Sequence, residues 1–166
     1  MGAGYHGGFG ATFGKKAVLK TSRVTFVKQN YTREQLLTFI DGVTKNSTEI
    51  VANINAGNIK LSVIGDELFE RAFGVSSDVT GLAIDNKIYI RKSSITIHSD
   101  MVHEGTHALD YLRGISYSER AGWAGEIRAY NAEHYFQKAA NIILEFANED
   151  DIQVHVWKNY KRRGEK

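Results

Sequence analysis

The segment SDMVHEGTHALDYLRG, residues 99–114, constrains this chain more than any other stretch of its sequence. Apolar residues recur in it at three-to-four-residue intervals, there is no proline, and a glycine closes it, so a helix is predicted from about Ser94 to Leu112. His103 and His107 are then neighbours on one face, with Cβ atoms roughly 5–6 Å apart. Two imidazoles placed in this way can converge on a single ion. Glu104 points about a quarter-turn away, where it can reach a metal-bound water.

A third ligand is required, because a catalytic zinc site takes three protein ligands and keeps its fourth position for water. The chain has no cysteine, so histidine and carboxylate must supply all three. Glu126, in GEIRAYNAEHYF, shares a helical stripe with apolar residues that face the core. A buried carboxylate without compensation is costly, and a metal would offset that cost. We therefore predict that His103, His107 and Glu126 bind the metal.

Alternatives to this ligand set remain open at the level of sequence. Glu126 can instead lie past the edge of the core in solvent, or pair with an arginine. Glu133, two turns further along, is interpreted as a carboxylate that orients a ligand or forms a salt bridge, with a ligand role as the alternative. His134 is the alternative third ligand in place of Glu126. An H-E-x-x-H string also arises by chance in roughly 0.5% of chains of this length, so a metal-free helical interaction domain stays possible.

The remaining sequence predicts a single α+β domain. With 166 residues, 42% of them apolar, the chain can bury one core. Residues 1–20 are predicted to be a glycine-rich flexible linker or arm, and residues 21–166 to be the domain. Three stretches have strand character, namely RVTFVKQ, NIKLSVIG and the hairpin GLAIDNKIYIRK, which turns at Asp85 and Asn86.

Helical patterns alternate with these strands. TREQLLTFIDGVTKNSTEIVANI follows a capping-box signature at Thr32 and Gln35, and DELFERAFG is a short helix that ends at Gly74. A long helix, or two abutting ones, is predicted after Ser116, and DIQVHVW is either a strand or a closing helix.

Charge and hydropathy exclude several classes of function. The net charge is only +2. Except in the tail KNYKRRGEK, the basic residues are spread along the chain, which argues against a nucleic-acid partner. No apolar run approaches the ~18 residues that would span a bilayer, so no membrane span is predicted. The opening MGAGYHGGFG lacks the charged start and apolar middle of a signal peptide.

The string HEGTHALD, followed by a glutamate in the form E-x-x-A, resembles the zincin metallopeptidases whose third ligand is glutamate. These include the thermolysin-like and anthrax-lethal-factor-like groups, and the resemblance covers roughly Gly81 to Phe136. It implies a zincin-like α+β fold, with a small mixed sheet, an H-E-x-x-H helix and a following long helix. It also implies that His103, His107 and Glu126 are the zinc ligands and that Glu104 is the general base, which takes a proton from zinc-activated water.

The same resemblance carries further expectations. NKIYIRK stands in the place of the sheet-edge strand that binds peptide substrate by strand addition. Asp110 matches an acidic position that could orient a ligand. Tyr130 stands where thermolysin-like enzymes place an aspartate, so the hydrogen bond made by that aspartate must come from elsewhere. Tyr117 is the first candidate for stabilising the oxyanion, and the alternative, which the tendency of tyrosines to bury their rings favours, is that it and Tyr111 are packing aromatics.

The arm has a resemblance of its own. GYHGGFGATFGKK is similar to the glycine-rich joint that precedes the C-terminal toxin modules of bacterial polymorphic toxins, although a generic linker also explains it. Together the two resemblances imply a zinc-dependent endopeptidase that is secreted, or delivered into a target cell as part of a larger protein. Its partners would be a protein or peptide substrate and a cognate immunity protein. The alternative is a non-catalytic metal-binding interaction module on a zincin scaffold.

Overall fold

The computed structural model of the chain describes residues 3–6 and 30–160. Within them lie seven helices and one mixed sheet of four short strands, which confirms the predicted α+β class. No helix in this part of the chain is both long and apolar enough to cross a membrane. The elements in chain order are β1 (Ala3–His6), α1 (Arg33–Ile40), α2 (Lys45–Asn55), β2 (Lys60–Ile64), α3 (Asp66–Phe73), β3 (Gly81–Ile84), β4 (Lys87–Arg91), α4 (Ile97–Leu112), α5 (Tyr117–Arg120), α6 (Trp123–Ala139) and α7 (Glu149–Asn159).

The strand order of the sheet is β1-β3-β4-β2. The β3–β4 hairpin is antiparallel and turns at Asp85, which adopts a left-handed φ of 54° as the predicted turn requires. On its other side β4 pairs in parallel with β2, from Lys60 opposite Lys87 to Ile64 opposite Arg91. The prediction that NKIYIRK is an edge strand is therefore wrong. A parallel partner reaches its place through a crossover, which leaves no local signal in the β4 sequence.

The predicted arm contributes a strand at the opposite edge of the sheet. Residues 3–6 pair antiparallel with β3, so that His6 lies opposite Gly81. The rest of the predicted arm, residues 7–20, lies outside the described residues, as does the predicted strand RVTFVKQ. The division of the chain into an arm and a domain at residue 20 stays a prediction.

Helix α4 is the central element of the fold. Ile88 and Ile90 of β4 join Met101 and Val102 of α4 in one apolar core, which also includes side chains from α1, α2 and α6. Gly105, inside the HEGTH string, lets α2 approach α4, because a Cβ there would come within 2.6 Å of the Ile50 Cδ1 atom. Layers on both sides of α4 thus bury its histidines as well as its apolar residues.

Helix ends follow local signals where capping residues are present. Thr32 and Gln35 form the predicted capping box of α1, and Gly74 ends α3 in a left-handed conformation. The single long helix predicted after Thr32 is instead divided between α1 and α2, because Gly42 adopts a left-handed φ of 77° and Thr44 caps a new helix.

In the second half of the chain one boundary shifts, and the structure selects between the alternatives that the sequence left open. The motif helix begins at Ile97, three residues after the predicted start. The segment after Ser116 forms two helices, α5 and α6, which approach so closely that a Cβ on Gly125 would lie 1.9 Å from the Arg120 carbonyl oxygen. DIQVHVW is helical, within α7, which Asn148 caps.

Candidate metal centre

Helices α4 and α6 bring the three predicted ligands together. His103 and His107 project from successive turns of α4, and Glu126 lies in the first turn of α6, which packs against α4. The His103 Nε2 atom lies 3.3 Å from Glu126 Oε2, and the His107 Nε2 atom lies 3.4 Å from Glu126 Oε1. All three side chains are buried, with at most 4% of each exposed. The alternative that Glu126 lies in solvent is therefore wrong.

The three side chains are close enough to share one metal ion. The two nitrogen–oxygen distances involve different oxygens of Glu126, and each is near the ~3.3–3.4 Å that separates neighbouring ligand atoms in a tetrahedral zinc site. One ligand atom from each of the three side chains lies within 4.8 Å of the other two. Among the described residues, the ion-pair partners of Glu126 are these two histidines and not an arginine. The group could hold one metal ion, and its nitrogen and carboxylate donors suit zinc.

The electrostatics of the site favour a cation. Burial lowers the pKa of His107, but the carboxylates of Glu126, Glu104 and Asp110 outweigh this effect, and the net pKa is raised. Without a metal, His107 therefore tends to carry the compensating proton. Because a metal ligand must be neutral imidazole, metal binding would release that proton, and metal affinity should weaken as the pH falls.

His103 is oriented by a buried polar chain. Its Nδ1 atom lies 3.1 Å from Glu133 Oε2, and the other oxygen of Glu133 accepts a hydrogen bond from Gln137 Nε2 at 3.2 Å. The same Gln137 nitrogen donates to Ser99 Oγ, at 3.1 Å. With Nδ1–H donated to a carboxylate, the Nε2 lone pair of His103 faces Glu126 and the position of the ion.

Glu133 therefore occupies the orienting position and not the ligand position. The resemblance places an aspartate at position 130, where it would accept a hydrogen bond. Tyr130 has no carboxylate, and Glu133 accepts a hydrogen bond from His103 instead. Tyr130 instead packs the edge of its ring against His103, with ring centroids 4.4 Å apart. His134, the substitute ligand, is buried beside Glu133 but does not belong to the converging group.

Removing the orienting carboxylate should weaken the site without destroying it. We expect Glu133→Ala to lower zinc affinity by about 10–100-fold, the usual cost of losing a partner behind a ligand, while excess zinc still fills the site. Competition titration against a chelating dye measures this change. Glu34→Ala, which removes an exposed carboxylate on α1, is the matched control. A Glu133→Ala protein that binds no zinc at saturation would instead make Glu133 a ligand.

Glu104 follows His103, a predicted ligand, but does not belong to the converging group. Its side chain is fully buried, and its charge contributes to the raised pKa of His107. Strand β3 crosses directly over it, because a Cβ built on Gly81 would lie 2.9 Å from Glu104 Cγ. Gly81 thus permits the sheet to close over the glutamate. Nothing in the sequence pattern singles out this glycine.

The other predicted residues, Tyr117 and Asp110, do not belong to the converging group. Tyr117 begins α5, is 39% exposed and lies under the Arg120 guanidinium, 5.9 Å from it. Asp110 is buried, and its Oδ2 atom accepts a hydrogen bond from Arg128 Nε at 2.9 Å and forms an ion pair with Arg128 Nη2, also at 2.9 Å. Asp110 therefore ties α4 to α6, and its effect on His107 is electrostatic. The catalytic role of Tyr117 stays a prediction.

A second tyrosine, which the sequence interpretation missed, lies close to the site. Tyr160 follows α7, and its hydroxyl is 3.1 Å from the hydroxyl of Tyr130. It lies 34 positions after Glu126, at the start of the basic tail, where no periodicity or motif distinguishes it.

Comparison with known proteins found no match to this chain. No protein-family model, no curated protein and no solved structure matches the chain.

Proposed function

We propose that this protein is a zinc-dependent endopeptidase. One observation carries the proposal, namely that two histidines and a glutamate converge in a buried site with a further buried glutamate, Glu104, beside them. Structural zinc sites are closed by four protein ligands, whereas three ligands leave a position for chemistry. In a catalytic site the adjacent Glu104 can act as the general base, whereas a purely structural site needs no such residue.

The residues of the site have distinct tasks in this reaction. His103, His107 and Glu126 would hold the ion. When bound, the ion would act as a Lewis acid, which polarises the peptide carbonyl and makes water more acidic. Glu104 accepts the proton of the attacking water and passes it to the leaving amine. Burial of Glu104 keeps it from bulk water and strengthens its electrostatic interactions. Glu133 holds His103 in the tautomer that leaves Nε2 available.

The direct test combines metal analysis with a cleavage assay. The purified protein should contain close to one zinc per chain and should cut members of a panel of denatured proteins. A chelator should stop the cleavage, and added zinc should restore it. Bound zinc without any cleavage would favour the non-catalytic metal-binding module. A protein that retains no zinc after loading and gel filtration would favour the metal-free interaction domain.

The close approach of β3 to Glu104 gives a second test. In Gly81→Ala the new methyl group must displace the Glu104 side chain, and a misplacement of about 1 Å can cost ~10²-fold in rate. We expect peptide cleavage to fall by about this factor while the zinc content is unchanged. Gly65→Ala is the control, since no atom lies within 4 Å of its Cβ position and its φ is −64°. Normal cleavage by Gly81→Ala would contradict the role given to Glu104.

A further inference from the structure

Strand β1 covers one of the two edges of the sheet. In the strand order β1-β3-β4-β2 it pairs with β3, antiparallel, with His6 opposite Gly81 and Ala3 opposite Ile84. If β1 were absent, β3 would be the edge strand, and its outward N–H and C=O groups would have no strand partner among the described residues. Residues 3–6 therefore fill a place that an extended segment of another polypeptide can also fill.

This edge is the one beside the candidate metal centre. The Cβ position of Gly81 in β3 lies 2.9 Å from Glu104 Cγ, and β1 itself lies against α4, the helix that carries Glu104. The backbone of β1 is one strand spacing, about 5 Å, from this part of β3. The other edge, β2, is separated from β3 by β4 and is thus roughly 10 Å away from it.

The sequence of β1 makes it a weak competitor for this edge. The strand is four residues long and contains Gly4, and glycines also stand at positions 2, 7 and 8 of the sequence. Glycine loses more conformational freedom on ordering than any other residue, and it has no side chain that could pack. A polypeptide with larger side chains can therefore displace such a strand.

We propose that β1 is a self-inhibitory strand, which occupies the edge of β3 on which the peptidase takes its substrate as an extended antiparallel strand. This inference rests on the proposed peptidase function and adds the regulation of its substrate site. Substrate and β1 compete for the same backbone groups of β3, so the substrate binds only to molecules in which β1 has left the edge. The competition also selects unfolded substrates, because only an extended chain can add a strand.

A reversible disulfide tests this competition in the full chain. The protein has no cysteine, and Gly4 pairs with Ala83, so Gly4→Cys with Ala83→Cys places two thiols on directly opposed residues. Oxidation should hold β1 on β3 and lower kcat/KM for the cleavage of casein, an unfolded protein, by at least ~10-fold. A phosphine reductant should restore cleavage. The single variant Gly4→Cys is the control and should respond to neither treatment. Equal cleavage by the oxidised and reduced double variant would overturn the proposal.

Proline substitutions test the same competition in the opposite direction. Neighbouring residues of a strand point their N–H groups to opposite sides, so one of Gly4 and Tyr5 donates toward β3. Gly4→Pro with Tyr5→Pro removes that donor, whichever residue supplies it. With the edge free in about 10% of unaltered molecules, its release should lower KM ~10-fold and leave kcat and zinc content unchanged. Gly4→Ala with Tyr5→Phe keeps both N–H groups and is the matched control. An unchanged or higher KM in the proline variant would contradict self-inhibition.

A binding measurement distinguishes the failure of this inference from the failure of the proposed function. Fluorescein-labelled casein is the probe, and the zinc-loaded double-cysteine variant also carries Glu104→Gln, so that the probe should not be cut. We expect binding to be at least ~10-fold weaker after oxidation than after reduction. Such binding, together with no cleavage by the unaltered protein, would reject the peptidase function and keep the competition for the edge. Cleavage by the unaltered protein, with probe binding indifferent to oxidation, would keep the peptidase and reject self-inhibition.

Discussion

Replacing Glu104 by glutamine should abolish peptide cleavage and leave the zinc in place. Glutamine keeps the size of the side chain and its capacity for hydrogen bonds, so the tight packing under Gly81 is preserved. It cannot accept the proton of the attacking water, and the loss of a general base typically lowers the rate ~10²–10⁴-fold. Metal analysis of the same preparation should still give close to one zinc per chain, because Glu104 lies outside the ligand group.

His103→Ala is the control that separates loss of the general base from loss of the metal. The variant removes a ligand, so both zinc and cleavage should be lost. Cleavage by Glu104→Gln at the rate of the unaltered protein would show that another group moves the proton. Glu104 would in that case be a buried neighbour of the predicted ligands without a catalytic role.

The same pair of variants tests the proposal that the domain is a delivered toxin. Expressed inside a bacterial cell without a protective partner, the unaltered chain should slow growth, and Glu104→Gln should not. The effect would then depend on cleavage and not on binding alone. If Glu104→Gln and His103→Ala both remained fully toxic, the harm would have a source other than zinc peptidase chemistry, and a binding function would become the better proposal.

The convergence of His103, His107 and Glu126 was predictable because most of the signal for it is local. The spacing of His103 and His107 fixes their positions on one turn of helix, and the absence of cysteine restricts the third ligand to histidine or carboxylate. Burial of Glu126 followed from its place on an apolar stripe, and the structure confirms it. Capping residues such as Thr32 and the helix-ending Gly74 were predictable for the same reason, since each acts within a few residues.

What the sequence did not reveal depends on contacts between distant segments. The parallel pairing of β2 with β4 places β4 inside the sheet, although its own pattern is the same as that of an edge strand. Gly81 and Tyr160 lie 23 residues before and 56 residues after Glu104; β3 brings Gly81 against Glu104, and the end of α7 brings Tyr160 against Tyr130. The pattern of a single sequence does not reveal such contacts, because they depend on how whole elements pack.

Glu126→Ala should remove the metal and, with it, part of the stability of the fold. Two imidazoles alone leave a weaker site, and Glu126 is the only anionic member of the group. Zinc that binds only the folded state contributes about 2.7 kcal/mol at a free concentration of 100 times Kd. For a domain of this size that corresponds to a rise in melting temperature of about 5–10 °C. A chelator should therefore lower the melting temperature of the unaltered protein by about this amount and leave that of Glu126→Ala unchanged.

Comparison with Glu133→Ala decides which carboxylate is the ligand. The two residues lie two turns apart on α6, both are buried, and each faces His103, with Glu126 near Nε2 and Glu133 near Nδ1. Any general effect of removing a buried acid from α6 should therefore appear in both variants. Only the ligand should abolish the chelator-sensitive melting shift at saturating zinc, whereas the orienting carboxylate should keep the shift and require more zinc to reach it. The opposite result would move the third ligand to Glu133 and place the ion on the Nδ1 side of His103, away from His107.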